Sequence, residues 1–260
     1  VTTVSASLNP DEHVFDITDQ TDVTLKGFEI RDARGTTQGV AGIFMNNASN
    51  CNISNNLVTN ISATGWNSAY GIELRNSNDN TFSSSNISYI EADMALGILL
   101  FDSNNNTFSS TTSISYINAT FYGCGIEIWN SNDNAFSSSI TLSYINATDE
   151  VFGILVIGSN YNTFSSSITV SHINGRPGRI VVSGIGVGMS SHDNTFSSSI
   201  SFSHITGTDV VNGIGLHSTN NNSFTSTISV SYITGTNTTG GIGLYQSNDN
   251  TFTSTICLSH

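Results

Sequence analysis

The chain has 260 residues, and its 19 acidic against 6 basic side chains leave a net charge of −13. That balance makes nucleic acid and anionic membrane surfaces poor partners, and no apolar run reaches the roughly 20 residues of a membrane-spanning helix. Asn, Ser and Thr dominate, yet Ile, Leu, Val and Phe recur at regular places without a 3.6-residue period, which predicts an ordered all-β chain rather than a disordered one.

Residues 1–40 form an irregular N-terminal region. The chain opens at Val1 rather than Met, which predicts a mature protein whose leader has been removed, and hence export. His13-Val-Phe-Asp-Ile-Thr reads as a strand. Thr21 to Arg31 reads as a degenerate half-coil, followed by a second one at Gly42-Ile-Phe-Met and Asn50 to Val58. Regular repeats then fill 41–260. Their clearest copy runs from Gly71 to Ile90, GIELRNSNDNTFSSSNISYI, and seven copies register on Phe82, Phe108, Phe136, Phe164, Phe196, Phe224 and Phe252. The steps between them are 26, 28, 28, 32, 28 and 28 residues. A fixed period of this size is the mark of a solenoid. A strand, a polar turn, a second strand and a variable loop make one coil, so a single parallel β-helix (β-solenoid) domain, 1–260, of about eight coils is predicted.

Alternation inside the coil assigns the core. Ile72, Ile98, Ile126, Ile154, Ile185, Ile214 and Ile242 make one inward column, and Leu74, Leu100, Ile128, Val156, Val187, Leu216 and Leu244 the next. The Phe column is followed by Ile87, Ile114, Leu142, Val170, Phe202, Val230 and Leu258, and two residues on by the rings Tyr89, Tyr116, Tyr144, His172, His204, Tyr232 and His260. The turn residues Asn78, Asn132, Asn160, Asn220 and Asn248 are placed to form amide ladders along the axis. Loop length varies on one side only, with Arg176-Pro-Gly-Arg179 the largest outlier.

The phrases VFDITDQTDVTLKGFEI and GIxLxxSNDNTFSSS resemble those of right-handed parallel β-helix repeat proteins on the surfaces of methanogenic archaea, with sheath proteins as the nearest type. The resemblance covers nearly the whole chain. It implies an extracellular, surface or wall-associated location. Related repeats occur in periplasmic copper-linked proteins and in polysaccharide lyases and hydrolases. Nine Asn-x-Ser/Thr acceptor sites, from Asn47 to Asn237, are compatible with that address.

Three kinds of chemistry can be weighed. Glu73 and Glu127 share an outward column with Leu99 between them, so their separation is about 9.6 Å, formally that of an inverting glycosidase pair. No second acidic motif or positioning base surrounds them, so they are read as solvated surface carboxylates and the chain as not an enzyme. The turn acids Asp79, Asp133, Asp193 and Asp249 lack the glycines of calcium-binding repeats and read as turn formers. His172 and His204 stand in register, but Tyr fills the same column elsewhere and no third ligand is near, so neither a metal nor a cofactor is predicted.

The outward residues Leu99, Phe101, Trp129, Leu155 and Ile157 form an apolar stripe that gives way to Gly186, Gly188, Gly215 and Gly243. Such a stripe marks an interface. With no capping helix at the start, the first reading is a self-assembling sheath or surface-layer protein whose partner is itself, stacked head to tail and laterally. Cys51, Cys124 and Cys257 are then candidates for intermolecular disulfides, Cys257 above all. The rivals are a carbohydrate-binding or polysaccharide-degrading module, with glycans as partner and Trp129 and Phe101 as sugar platforms, and a periplasmic metal-linked β-helix.

Overall fold

In a computed structural model the chain is described over residues 2–6, 10–175, 181–225, 227–253 and 255–259. Three parallel ladders run along one axis. Sheet A is built from Phe15–Thr18, Val40–Asn46, Ser68–Arg75, the C-terminal halves of Thr81–Phe101 and Thr112–Trp129, then Glu150–Ile157, Val181–Gly188, Val210–His217 and Thr238–Tyr245. Sheet B is a narrow ladder through the Phe column, Thr107–Phe108 pairing with Ala135–Phe136 and so on up the stack. Sheet C holds Ile140–Ala147, Ile168–Gly175, Ile200–Thr206, Ile228–Thr234 and Ile256–Ser259, with earlier rungs reaching back to Thr2–Ser5. Sheet A shows nine rungs among the described residues, one more than the repeat count predicts. Residues 1–40 supply rung strands too, with Phe15 pairing Ile43 and Leu25 pairing Ile53.

Apart from one irregularity between Ala119 and Tyr122 the ladders keep register, so in the inward columns like sits on like. Phe82, Phe108, Phe136, Phe164, Phe196 and Phe224 are buried, and consecutive rings stack with centroids 4.4 to 4.9 Å apart through Phe252. The Ile columns of sheets A and C complete the core around them. The glycine that opens each Gly-Ile pair is required by this packing. A Cβ on Gly97 would stand 2.5 Å from the Ile114 side chain and 2.6 Å from the Gly125 carbonyl oxygen.

The polar turn between sheets A and B is only partly at the surface. Its αL position is taken by Asp79, Asn105, Asp133, Tyr161, Asp193, Asn221 and Asp249, all with φ between 54° and 59°. The repeated acids therefore occupy a left-handed turn position, which Asp and Asn adopt most readily. The expected ladder forms at the half-buried residue before it, where the Asn104 amide donates to Asn78 Oδ1 at 2.6 Å and Asn132 to Asn104 at 2.7 Å. A second ladder lies one residue after it. Asn80, Asn106, Asn134, Asn162, Asn194 and Asn222 are fully buried, and each Oδ1 accepts the backbone N–H of its neighbour at 2.8 to 3.0 Å.

The ring column of sheet C differs from the simple alternation. Tyr89, Tyr116, Tyr144, His172, His204 and Tyr232 all have φ between 52° and 58°, and the ladder skips them, so Ile87 and Ile90 both point inward. The rings stand on the outside, stacked at 4.6 to 5.0 Å. His260 and the Arg176–Arg179 loop lie outside the described residues.

A buried and an exposed ring column, with the same stacking distance, give a direct test. Phe164→Ala should cost about 3–5 kcal/mol in chemical unfolding, because it removes a buried ring and leaves a cavity. Tyr144→Ala, on the exposed column, should cost less than about 1.5 kcal/mol. Equal losses would contradict the placement of the two columns.

Candidate functional site

Outward side chains of sheet A build a second apolar cluster, separate from the core: Tyr70, Leu96, Leu99, Cys124, Phe152 and Leu155, with Phe44, Phe101, Tyr122 and Ile157 packed against them. The five residues expected at an interface all lie on this face. Leu99 and Leu155 are buried within it, Phe101 and Ile157 are half-buried, and Trp129 is 45 % exposed and tilted against Phe101 at 5.8 Å.

Glu73 and Glu127 point outward, as alternation requires, but they are not solvated. They are 1 % and 4 % exposed, because the apolar cluster closes around them. Glu73 Oε1 accepts from Arg75 Nε at 2.6 Å. Burial nonetheless holds its carboxyl above the ordinary range, against the pull of the guanidinium. Among the described residues no ion pair reaches Glu127. Tyr122 donates its hydroxyl to Glu127 Oε2 at 2.7 Å, and burial, with a smaller push from Glu150, raises the carboxyl from 4.5 to about 7. Burial likewise lifts the neighbouring Tyr122 hydroxyl and Cys124 thiol well above their usual values. Glu127 is therefore a carboxyl that both holds and releases its proton near neutral pH, the property of a general acid or base.

Two hollows flank this centre. Toward the N-terminal rungs, a cavity of 380 Å³ opens beside Glu73, with His13, Phe44, Trp66, Tyr70 and Arg75 among its walls. Over the C-terminal rungs runs a trough of 680 Å³, walled by Phe152, Leu155 and Ile157 at one end and by His217 and Tyr245 at the other. Gly186, Gly188, Gly215 and Gly243 make its floor, and Asn212 lies against the last two. His217 and Tyr245 stack at 4.8 Å.

The sequence pointed to the stripe, the glycine strip and the two glutamates. It missed Tyr122, Arg75, Trp66 and His13, which come from strand ends and variable loops. Their only sequence signals were proximity to Glu127 and Glu73 and the change of loop length.

The three cysteines are free. Cys51 and Cys124 are buried, and Cys257 is exposed. His172 and His204 stack at 4.8 Å, and among the described residues no group of three or more His, Cys, Asp or Glu side chains is arranged to hold a metal ion. No helix among the described residues is long and apolar enough to cross a membrane.

No protein-family model matches the chain, and no curated protein matches it. Among solved structures, the enzymatically active domain of bacteriophage CBA120 tailspike protein 2 is similar at 11% identity and a TM-score of 0.32, over 96% of this chain and 47% of that one. The catalytic domain of a GH87 α-1,3-glucanase in complex with nigerose is similar at 11% identity and a TM-score of 0.23, over 98% and 61%. The Streptococcus pneumoniae surface protein and adhesin PfbA is similar at 8% and 0.26, over 98% and 91%. The chain thus spans about half of the tailspike domain and three fifths of the glucanase domain. None of these likenesses links the chain to archaea or to a sheath.

The expectation that the chain is not an enzyme is corrected here. The ground for that expectation, solvated Glu73 and Glu127, is removed by their burial.

The Glu127 carboxyl also sets a pH dependence. Its folded-state value lies above its ordinary 4.5, so the folded chain keeps a proton that the unfolded chain releases between pH 4.5 and about 7. Stability contributed by this group is present below pH 4.5 and is lost as pH rises through 7, by roughly 3 kcal/mol. Glu127→Gln should therefore unfold much like the parent at pH 4 and exceed its stability by up to that margin at pH 8. A stability difference that does not change with pH would refute the assignment.

Proposed function

We propose that the chain is a surface or extracellular glycan-binding β-helix module that holds an extended polysaccharide in the trough on sheet A. The observation that carries this is the glycine floor, four glycines spread over three rungs between aromatic and polar edges, open above Gly188 and overlain by Phe152 and Leu155 at Gly186 and by Asn212 at Gly215 and Gly243. Rungs repeat about every 4.8 Å, so a linear polymer of repeating units meets a repeating surface. Mostly apolar walls with a few polar groups, here Glu150, Asn212 and His217, suit ligands whose rings have apolar faces and polar edges.

Glycosidic hydrolysis is the second reading. It is favoured by Glu127, whose proton is exchangeable near neutrality and whose rung adjoins the one carrying Leu155 in the trough wall. Self-assembly into a sheath draws on the same apolar stripe, but Leu99 and Leu155 already bury themselves within the chain, which leaves less surface for a second copy.

A panel of soluble α- and β-glucans, mannans and galactans in affinity electrophoresis tests the proposal. Gly188 is the cleanest place to fill the trough, because a Cβ there meets only the His217 carbonyl oxygen, at 3.5 Å. Gly188→Leu should weaken retardation by at least about tenfold and leave thermal unfolding unchanged. New reducing ends that disappear in Glu127→Gln would establish the second reading. Retardation by none of the polymers, or equal retardation of parent and Gly188→Leu, would overturn the trough as the site.

A further inference from the structure

The N-terminal cavity is separate from the trough and differently made. Its two charged groups, Arg75 and Glu73, are bonded to each other, so the pair adds no net charge. His13 Nδ1 accepts the Ala41 N–H at 2.9 Å, and burial opposes protonation of the imidazole, which leaves Nε2–H as a donor. Gln38, Asn67, Ser68 and Tyr70 bring amide and hydroxyl groups to the same walls. The guanidinium has further N–H groups beyond the one given to Glu73, and the Arg75 side chain is half exposed.

Two flat rings complete the cavity. Phe44 is stacked on His13 at 4.2 Å. Trp66 is 77 % exposed and stacks one face on Phe121 at 4.7 Å, two rungs toward the C-terminal end. Trp66 also lines the cavity, together with His13 and Gln38. Both walls are held in place. Asp93 accepts the Trp66 backbone N–H at 2.7 Å, and Asp11 clamps the loop that carries Gln38 by accepting from the Thr37 backbone N–H and from the hydroxyls of Thr36 and Thr37, each at 2.8 Å.

We propose that this cavity binds one neutral sugar residue, with a ring face on Trp66 and hydroxyls on Arg75, Asn67 and His13. Its 380 Å³ lies at the small end of the about 300–1,000 Å³ typical of ligand sites, which fits a single residue rather than a chain. A flat apolar face beside a dense set of donors and acceptors is the complement of a pyranose. An anion is disfavoured, because the cation is already neutralised by Glu73 and the chain carries −13 overall. The same charge argues against a nucleotide, whose base would stack but whose phosphates would find no free cation here.

This inference rests on the reading of the chain as a glycan binder, but on different residues. Its test uses D-glucose, D-galactose, D-mannose, N-acetyl-D-glucosamine and D-glucuronate as probes. Binding is read by saturation-transfer NMR and by quenching of Trp66 fluorescence in a Trp129→Phe background, since the chain has only these two tryptophans. At least one neutral monosaccharide should bind and quench, and glucuronate should bind at least tenfold more weakly. Trp66→Ala and Asn67→Ala should each weaken the neutral sugar at least tenfold, while Gly188→Leu should not. Because Arg75→Gln alone would strand a buried carboxylate, the double variant Arg75→Gln/Glu73→Gln reports on the polar pair, with the same loss expected. Polysaccharide retardation by the trough without any monosaccharide signal would overturn this inference and spare the trough. A monosaccharide signal abolished by Trp66→Ala, with no polysaccharide retardation, would do the reverse. No binding of any probe, or preference for glucuronate, would overturn it as well.

Discussion

One buried amide per rung holds the architecture together. Asn134 shows the pattern: its Oδ1 accepts from the Asn106 backbone N–H and side-chain amide, and its own Nδ2 donates to Asn162 Oδ1 and to the Ser103 carbonyl oxygen. Every polar atom of the side chain is used, in a place where an unpaired one would cost on the order of 1–3 kcal/mol. The Ser hydroxyls one turn earlier repeat the logic, with the Ser103 N–H donating to Ser131 Oγ at 2.8 Å and the Ser131 N–H to Ser159 at 2.9 Å. Apolar columns alone would tolerate slippage along the axis. A ladder that leaves amides stranded if it slips by one residue does not, and so it fixes the register on which every other column depends.

That fixed register explains what could be read from the sequence and what could not. The Phe column was legible because one large apolar side chain recurs in a polar background, and position alone then placed Gly71, Ile72 and Leu74. The turn was harder. In Ser-Asn-Asp-Asn, Asn78 and Asn80 are the same residue type, and only the αL backbone at Asp79 turns one to the half-exposed edge and the other into the core. The Tyr and His rings failed for a related reason. Period-2 alternation assumes an unbroken strand, and the left-handed residue at Tyr89 inserts a kink that leaves Ile87 and Ile90 inward, three apart.

The glutamates were misjudged by a different shortcut. Alternation tells which way a side chain leaves the sheet, not whether water meets it there. Glu73 and Glu127 do leave the core, but enter a second cluster supplied by Tyr70, Leu96, Phe152 and their neighbours, which no single strand discloses. Tyr122 precedes Glu127 by five residues and reaches it across a ladder that leaves Gly125 unpaired.

The same constraint determines where variation is possible. The inward columns and the turn amides are committed to the stack, and sheet B is only two residues wide at most rungs. What remains free are the outward faces of sheets A and C, and on sheet A the outward column reads Phe44, Glu73, Leu99, Glu127, Leu155, Gly186, Gly215, Gly243 along the axis. It passes from large and charged to nothing at all, whereas the inward column beside it stays Ile at every rung from Ile43 to Ile242. A solenoid that needed only to stand would have no reason for such a gradient, since each rung meets nearly the same neighbours. The gradient makes one end of the face a walled cavity, its middle a dry carboxyl and its other end an open floor, without disturbing a single core contact.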